Sequence, residues 1–180
     1  MFFAKKMRIY FFAAALVFAT GCSNLLPDGR DLRSQNAGNR AGLSVGDHAP
    51  DFTLTDSDSN PVSLYTTLGG RPGVVLYFTM WCSICTAHTD EMLNTAMAQY
   101  PAVKFLLVDY VSASVQDMRT LKTSSGYDGS AYTVLGDSSQ AIMNSYAGTM
   151  GFTVVIDANR TIRMNEEYKK ARLLPVLGGL

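Results

Sequence analysis

An α/β fold, a central sheet flanked by helices, is what three features of this sequence predict. Two runs, GVVLYF at residues 73–78 and VKFLLVDY at 103–110, are apolar and β-branched without alternation, as strands covered on both faces are. Helix-patterned segments follow each of them. Near the end, FTVVID and TIRMN flank a short turn, ANR, at residues 158–160 and read as a hairpin. With 180 residues, 47% hydrophobic and 17% charged, the chain is long enough for one such domain with its own core.

Taken from the N-terminus, residues 1–21 read as a targeting segment: Lys5, Lys6 and Arg8, then an uncharged apolar run from Ile9 to Ala19, then small residues. That run of 11 residues is short of the roughly 20 needed to span a bilayer. The ending FATGC resembles the lipobox of bacterial lipoproteins, with Ala19 where the lipobox usually has Leu. By that resemblance the signal is cut before Cys22, which becomes the mature N-terminus and carries the lipid. Residues 22–44 are polar, rich in Gly, Pro, Asn and Ser, without an apolar period, and read as a flexible tether. The folded domain is expected over residues 45–180.

Within it, DFTL and PVSL, separated by the turn-rich TDSDSN, read as two short extended segments with a tight connection. After the first buried strand a helix begins near Cys82, with Ala87, Met92, Ala96 and Met97 facing inward, and stops before Pro101. Residues 114–123 read as a helix, YTVL at 132–135 as a short strand, and SSQAIMNSY as a helix opened by a serine cap. The tail from Tyr168 to Leu180 reads as a last helix, shortened by Pro175 and the glycines beyond it.

Charge and cysteine content narrow the function. The whole chain has 15 basic and 15 acidic residues, and loss of residues 1–21 leaves 12 and 15, about −3. There is no basic patch, which argues against nucleic acid as a partner. Of three cysteines, Cys22 is assigned to the anchor, and Cys82 and Cys85 form a Cys-x-x-Cys pair at a strand-to-helix junction. A helix N-terminus offers unpaired N–H groups and a positive dipole end, so the Cys82 thiol is expected to ionise more readily than a free cysteine. Cys85, one turn further in, is close enough to form a disulfide with it. In an exported chain such a pair acts as a redox couple, Cys82 attacking a partner and Cys85 resolving the mixed disulfide. Structural zinc wants four Cys or His ligands, and only His48 and His88 are available besides the pair, so no metal is expected.

Three stretches, VGDHAPDFTLTDSDSNPVSL, GVVLYFTMWCSICTAH and FTVVIDANRTIRMN, resemble in order and spacing the membrane-tethered thioredoxin-like proteins of the TlpA/ResA group. The resemblance covers nearly all of residues 45–170, and its strongest motif is Trp81-Cys82-Ser83-Ile84-Cys85, the W-C-x-x-C of the family. It implies a thioredoxin-like fold with a central mixed sheet, here with an N-terminal β-hairpin extension. It also implies thiol-disulfide exchange with exported cysteine-containing proteins, apocytochrome c among them, fed by a membrane thiol electron donor, with Trp81 lining the site. The redox-active disulfide Cys82–Cys85 is then the only redox group, with no separate cofactor. The place is outside the cytoplasm, anchored to a bacterial membrane, facing the periplasm in a Gram-negative cell.

Three departures from the family matter. Counting back from Asp157, Gly151 stands where the family has a cis-proline opposite the cysteines, preceded by Met150. A cis bond without proline costs about 2.5–4 kcal/mol, so a trans bond is expected there. Leu76 stands at the position of the buried acid of thioredoxins, and His88 where the group often carries Glu. A histidine one turn beyond Cys85 is a candidate proton acceptor for its thiol, whereas His48 has no evident partner. Two other readings share the fold. Peroxiredoxins have a similar APDFTL opening and a Thr-x-x-Cys, matched by Thr79 and Cys82, but lack Trp81 and here miss their proline. SCO-type copper chaperones would use Cys82, Cys85 and Met150 as soft ligands for Cu(I).

Overall fold

The computed structural model describes residues 42–180. The targeting segment, Cys22 and nearly all of the tether lie outside the described residues. Leu43, inside the stretch read as tether, already rests on the domain: its N–H donates to the Ser145 carbonyl at 3.2 Å and its carbonyl accepts from Asn165 Nδ2 at 2.6 Å.

The elements in order are β1 (Thr53–Asp56), β2 (Pro61–Ser63), α1 (Leu64–Leu68), β3 (Gly73–Thr79), α2 (Ser83–Met92), β4 (Lys104–Asp109), α3 (Val115–Ser124), β5 (Thr133–Gly136), α4 (Ala141–Tyr146), β6 (Phe152–Asp157), β7 (Ile162–Glu167) and α5 (Lys170–Gly178). They build one seven-stranded sheet in the order β2-β1-β5-β4-β3-β6-β7. β3, β4 and β5 run parallel, and the four outer strands pair antiparallel, so the sheet is mixed. The two N-terminal segments do form a hairpin, and β1 joins it to the sheet through β5. The C-terminal hairpin turns at Asp157–Thr161, where Asp157 Oδ1 accepts the N–H groups of Asn159 and Thr161, both at 2.9 Å.

The apolar run of β3 is explained by its place, because every residue from Gly73 to Thr79 is buried. Val75 and Tyr77 face one core with Cys85, Met92 and Phe105, while Val74, Leu76 and Phe78 face the other with Phe52, Leu64 and Tyr146. Leu76 therefore points away from the cysteines. At roughly 1.5–3 kcal/mol for each large apolar side chain fully buried, β3 ties both layers to the sheet.

Four details differ from the expectations above. On α2 the inward residues are Cys85, Thr89 and Met92, followed by Ala96, while Ala87 is exposed. Spacings of four, three and four from Cys85 set that stripe, and Ala87 falls between its members. The helix also widens into a π-helical turn at Leu93–Met97. There Asn94 Nδ2 and Thr95 Oγ1 donate to the carbonyls of Asp90 and Glu91, at 2.8 and 2.5 Å, competing with the backbone for acceptors. At α4 no serine caps the helix: Gln140 occupies the cap, and Asp137 Oδ2 takes the Met143 N–H at 2.8 Å. Pro175 lies inside α5, which continues to Gly178.

Candidate active site

β3 delivers the chain to the site, and a tight turn through Met80 and Trp81 aims it. Trp81 has φ of 61°, a conformation that costs a residue with a Cβ about 1–2 kcal/mol. Two hydrogen bonds hold it there: its N–H donates to Thr79 Oγ1 at 3.1 Å, and its indole Nε1–H donates to Asp109 Oδ2 at 2.8 Å. The turn places Cys82 at the N-cap of α2, where Sγ accepts the Cys85 N–H at 3.3 Å. Trp81 thus packs beside the pair, but its indole is spent on a buried carboxylate at the end of β4.

Both cysteines are free thiols, with Sγ atoms 2.9 Å apart. Cys82 is half-buried, whereas Cys85 is 1% exposed. Burial and the Cys85 contact push the Cys82 thiol up, against the N–H groups of Cys85 and Ile84, which pull it down. Burial also pushes Cys85 up, but the Cys82 thiol, the Met80 N–H and the Thr79 hydroxyl outweigh it and bring Cys85 below its ordinary value. The sequence reading expected the lowered thiol to be Cys82; in the structure the donors converge on Cys85. The pair shares its protons and titrates as a unit. Accessibility, rather than acidity, leaves Cys82 as the sulfur a partner can reach.

Met150 Sδ lies 3.2 Å from Cys82 Sγ, so the residue before Gly151 does sit on the pair. A metal bound trigonally by three sulfurs at about 2.3 Å needs them roughly 4 Å apart. As they stand, these sulfurs leave no room for an ion between them.

Gly151 has φ of 81°, and among the described residues no peptide bond is cis. Its N–H donates to the Phe78 carbonyl at 3.0 Å, and its carbonyl accepts the Tyr168 N–H at 2.8 Å, so it ties β3 to the start of α5. Proline at this position would lose the bond to Phe78 and demand a negative φ. Gly151→Pro is therefore expected to destabilise the fold by about 3 kcal/mol or more, read as a lower denaturant midpoint. An unchanged midpoint would mean that the family's proline geometry is available to this chain.

Among the described residues His88 makes no direct hydrogen bond to Cys85. Its Nδ1 lies 3.0 Å from the Tyr77 hydroxyl, and its ring packs against Tyr168 with centroids 4.6 Å apart and planes tilted by 41°. Burial lowers its pKa from the ordinary imidazole value, against the pull of Glu91. His48 is exposed and packs edge-on to Tyr65. Sequence reasoning missed Tyr77 and Asp109. Both carried a signal: a hydroxyl at a strand position sharing the face of Val75, and an acid following the apolar run from Phe105 to Val108.

A buried strand, a cysteine at a helix N-cap and a second cysteine beneath it define a thiol-based redox protein with a thioredoxin-like fold. The chain belongs to the AhpC/TSA family, whose model matches residues 45–165. No curated protein matches it. Among solved structures, a Chlorobium tepidum protein provisionally named thiol:disulfide interchange protein DsbE is similar, at 24% identity and TM-score 0.61 over 76% of this chain and 100% of that one. The peroxidoxin BcpB of Mycobacterium tuberculosis is similar at 21% identity and TM-score 0.61, over 77% of this chain and 98% of that one. A yeast mitochondrial 1-Cys peroxiredoxin shares 16% identity with a TM-score of 0.59, over 76% of this chain and 75% of that one. The likeness to the TlpA/ResA group fits these findings, which place the chain in the AhpC/TSA family with a thioredoxin-like fold.

Proposed function

We propose that this protein is a lipid-anchored thiol-disulfide oxidoreductase working outside the cytoplasm, most simply as a reductase of exported cysteine-containing proteins. Cys82 attacks the substrate disulfide and Cys85 resolves the adduct, with electrons returned by a membrane thiol donor and Cys22 as the lipid attachment. The observation that carries this reading is the pairing of a reachable Cys82 with a buried Cys85 whose Sγ lies 2.9 Å away. A resolving thiol at that distance suits a two-cysteine cycle. Thr79 supports the same side: its hydroxyl serves Trp81 and Cys85, whereas the peroxiredoxin reading would need it at Cys82.

The test is the reduction potential of the Cys82/Cys85 couple in the full chain, by thiol trapping in graded redox buffers. A reversible two-electron couple near about −270 mV or below is expected of a reductase. A value near about −120 mV would make it an oxidant. Failure to form the disulfide, together with fast reaction with hydrogen peroxide, would replace this reading with a thiol peroxidase using Cys82.

A further inference from the structure

Resolution of a mixed disulfide sets a proton problem at Cys85. Once Cys82 is bonded to substrate its thiol no longer donates to Cys85, and Cys85, 1% exposed, must lose its own proton before it can attack. Water has no ready route to it. Tyr77, on β3, packs in the same core as Cys85, where burial and then Cys85 push its phenol up, and its hydroxyl lies 3.0 Å from His88 Nδ1. Tyr77 is itself 1% exposed, so its hydroxyl exchanges protons with protein groups rather than with bulk water.

We propose that Tyr77 is a catalytic residue that carries the proton from Cys85 to His88 during resolution. This rests on the exchange reading above. The Cys85 S–H proton passes to Tyr77 Oη as the Tyr77 O–H proton passes to His88 Nδ1. The Cys85 thiolate then attacks Cys82 Sγ, the bond from Cys82 to the substrate sulfur breaks, and that sulfur leaves as a thiolate that takes a proton from water. The protein dithiol is oxidised to a disulfide by two electrons, and the substrate disulfide becomes two thiols. The reverse direction returns the proton along the same path.

The surroundings suit both ends. Burial holds His88 below the ordinary imidazole value, so it is neutral and able to accept at pH 7. Burial, then the charge that develops on Cys85, pushes Tyr77 far above an ordinary phenol, which makes it a conduit that never rests as an anion. The groups facing His88 are Tyr77 from β3, Tyr168 ahead of α5 and Glu91 on its own helix. Glu91 is held in its charged form by the Tyr168 hydroxyl at 2.9 Å and by Lys170 at 3.4 Å. Those facing Cys85 are Cys82, Thr79 and Tyr77, with Tyr110 and Tyr127 as outer neighbours that burial pushes above an ordinary phenol.

The experiment mixes the reduced full chain with the aromatic disulfide dithiobis-nitrobenzoate in a stopped flow. The first thionitrobenzoate released reports attack by Cys82, and the second reports resolution by Cys85. Tyr77→Phe is expected to slow the second release by about 10²-fold and leave the first unchanged. His88→Gln should slow the second release alike, and it should erase the fall in that rate expected of the parent chain when acid protonates His88, at a pH below the ordinary imidazole range. The double variant should be no slower than either single one, because the two residues act in series. A second release unchanged in Tyr77→Phe, both releases slowed equally, or an acid limb that survives in His88→Gln would overturn the relay. A parent chain that never makes the second release would instead overturn the exchange reading itself.

Discussion

Cys85→Ser is expected to stop turnover and leave the protein bonded to its substrate, while Cys82→Ser forms no adduct at all. Cys82 is the half-buried member of the pair and Cys85 the enclosed one, so an incoming disulfide meets Cys82 first. Once the mixed disulfide exists, the group 2.9 Å away decides its fate. A serine hydroxyl there is a far weaker nucleophile than a thiolate and cannot complete the exchange. Each substitution should lower turnover by about 10³-fold or more, since the two sulfurs act as a unit. Mass spectrometry of the Cys85→Ser chain after contact with a disulfide-bearing protein should find one covalent partner per chain, released by reductant. Adduct formation by Cys82→Ser at the parent rate would reverse the two roles.

The largest loss of stability is expected from Asp109→Ala. Asp109 is fully buried at the end of β4 and accepts four hydrogen bonds: Val111 N–H and Ser112 N–H at 3.0 Å, Ser112 Oγ–H at 2.5 Å and Trp81 Nε1–H at 2.8 Å. Alanine leaves those donors without an acceptor, and a buried orphan costs about 1–3 kcal/mol. Trp81 also loses one of the two bonds that hold its left-handed backbone. A total of about 3–5 kcal/mol is large against the 5–15 kcal/mol by which a domain is typically stable. Denaturant unfolding should show it, and Asp109→Asn, which keeps one acceptor oxygen, should cost less. A loss under about 1 kcal/mol for Asp109→Ala would mean that the carboxylate does not anchor the turn.

The site was legible in the sequence where it depends on spacing along one element. Cys82 and Cys85 are separated by one helical turn whatever surrounds them, and the strand before them announces itself by an apolar run that only a doubly covered strand needs. The inward stripe of α2 was read less well. Ala87 is small and apolar, but the stripe from Cys85 runs through Thr89, a polar residue that is buried because Tyr127 and the Cys85 carbonyl satisfy its hydroxyl. Composition cannot see such a partner.

By itself the sequence determined the α/β class, the order of strands and helices, the hairpin that closes the sheet and the position of the dithiol at a helix start. These follow from periodicity and from backbone chemistry within a dozen residues. Only the tertiary structure decided which groups meet there. Met150 comes to the pair from 68 residues away in sequence and Asp109 to the Trp81 indole from 28. Tyr77 on β3 and His88 on α2 come within hydrogen-bonding distance because β3 and α2 pack face to face. The proton balance of the two cysteines was decided at the same level. A thiol's acidity depends on donors within a few ångströms in any direction, and those donors arrive from segments that the chain brings together only by folding.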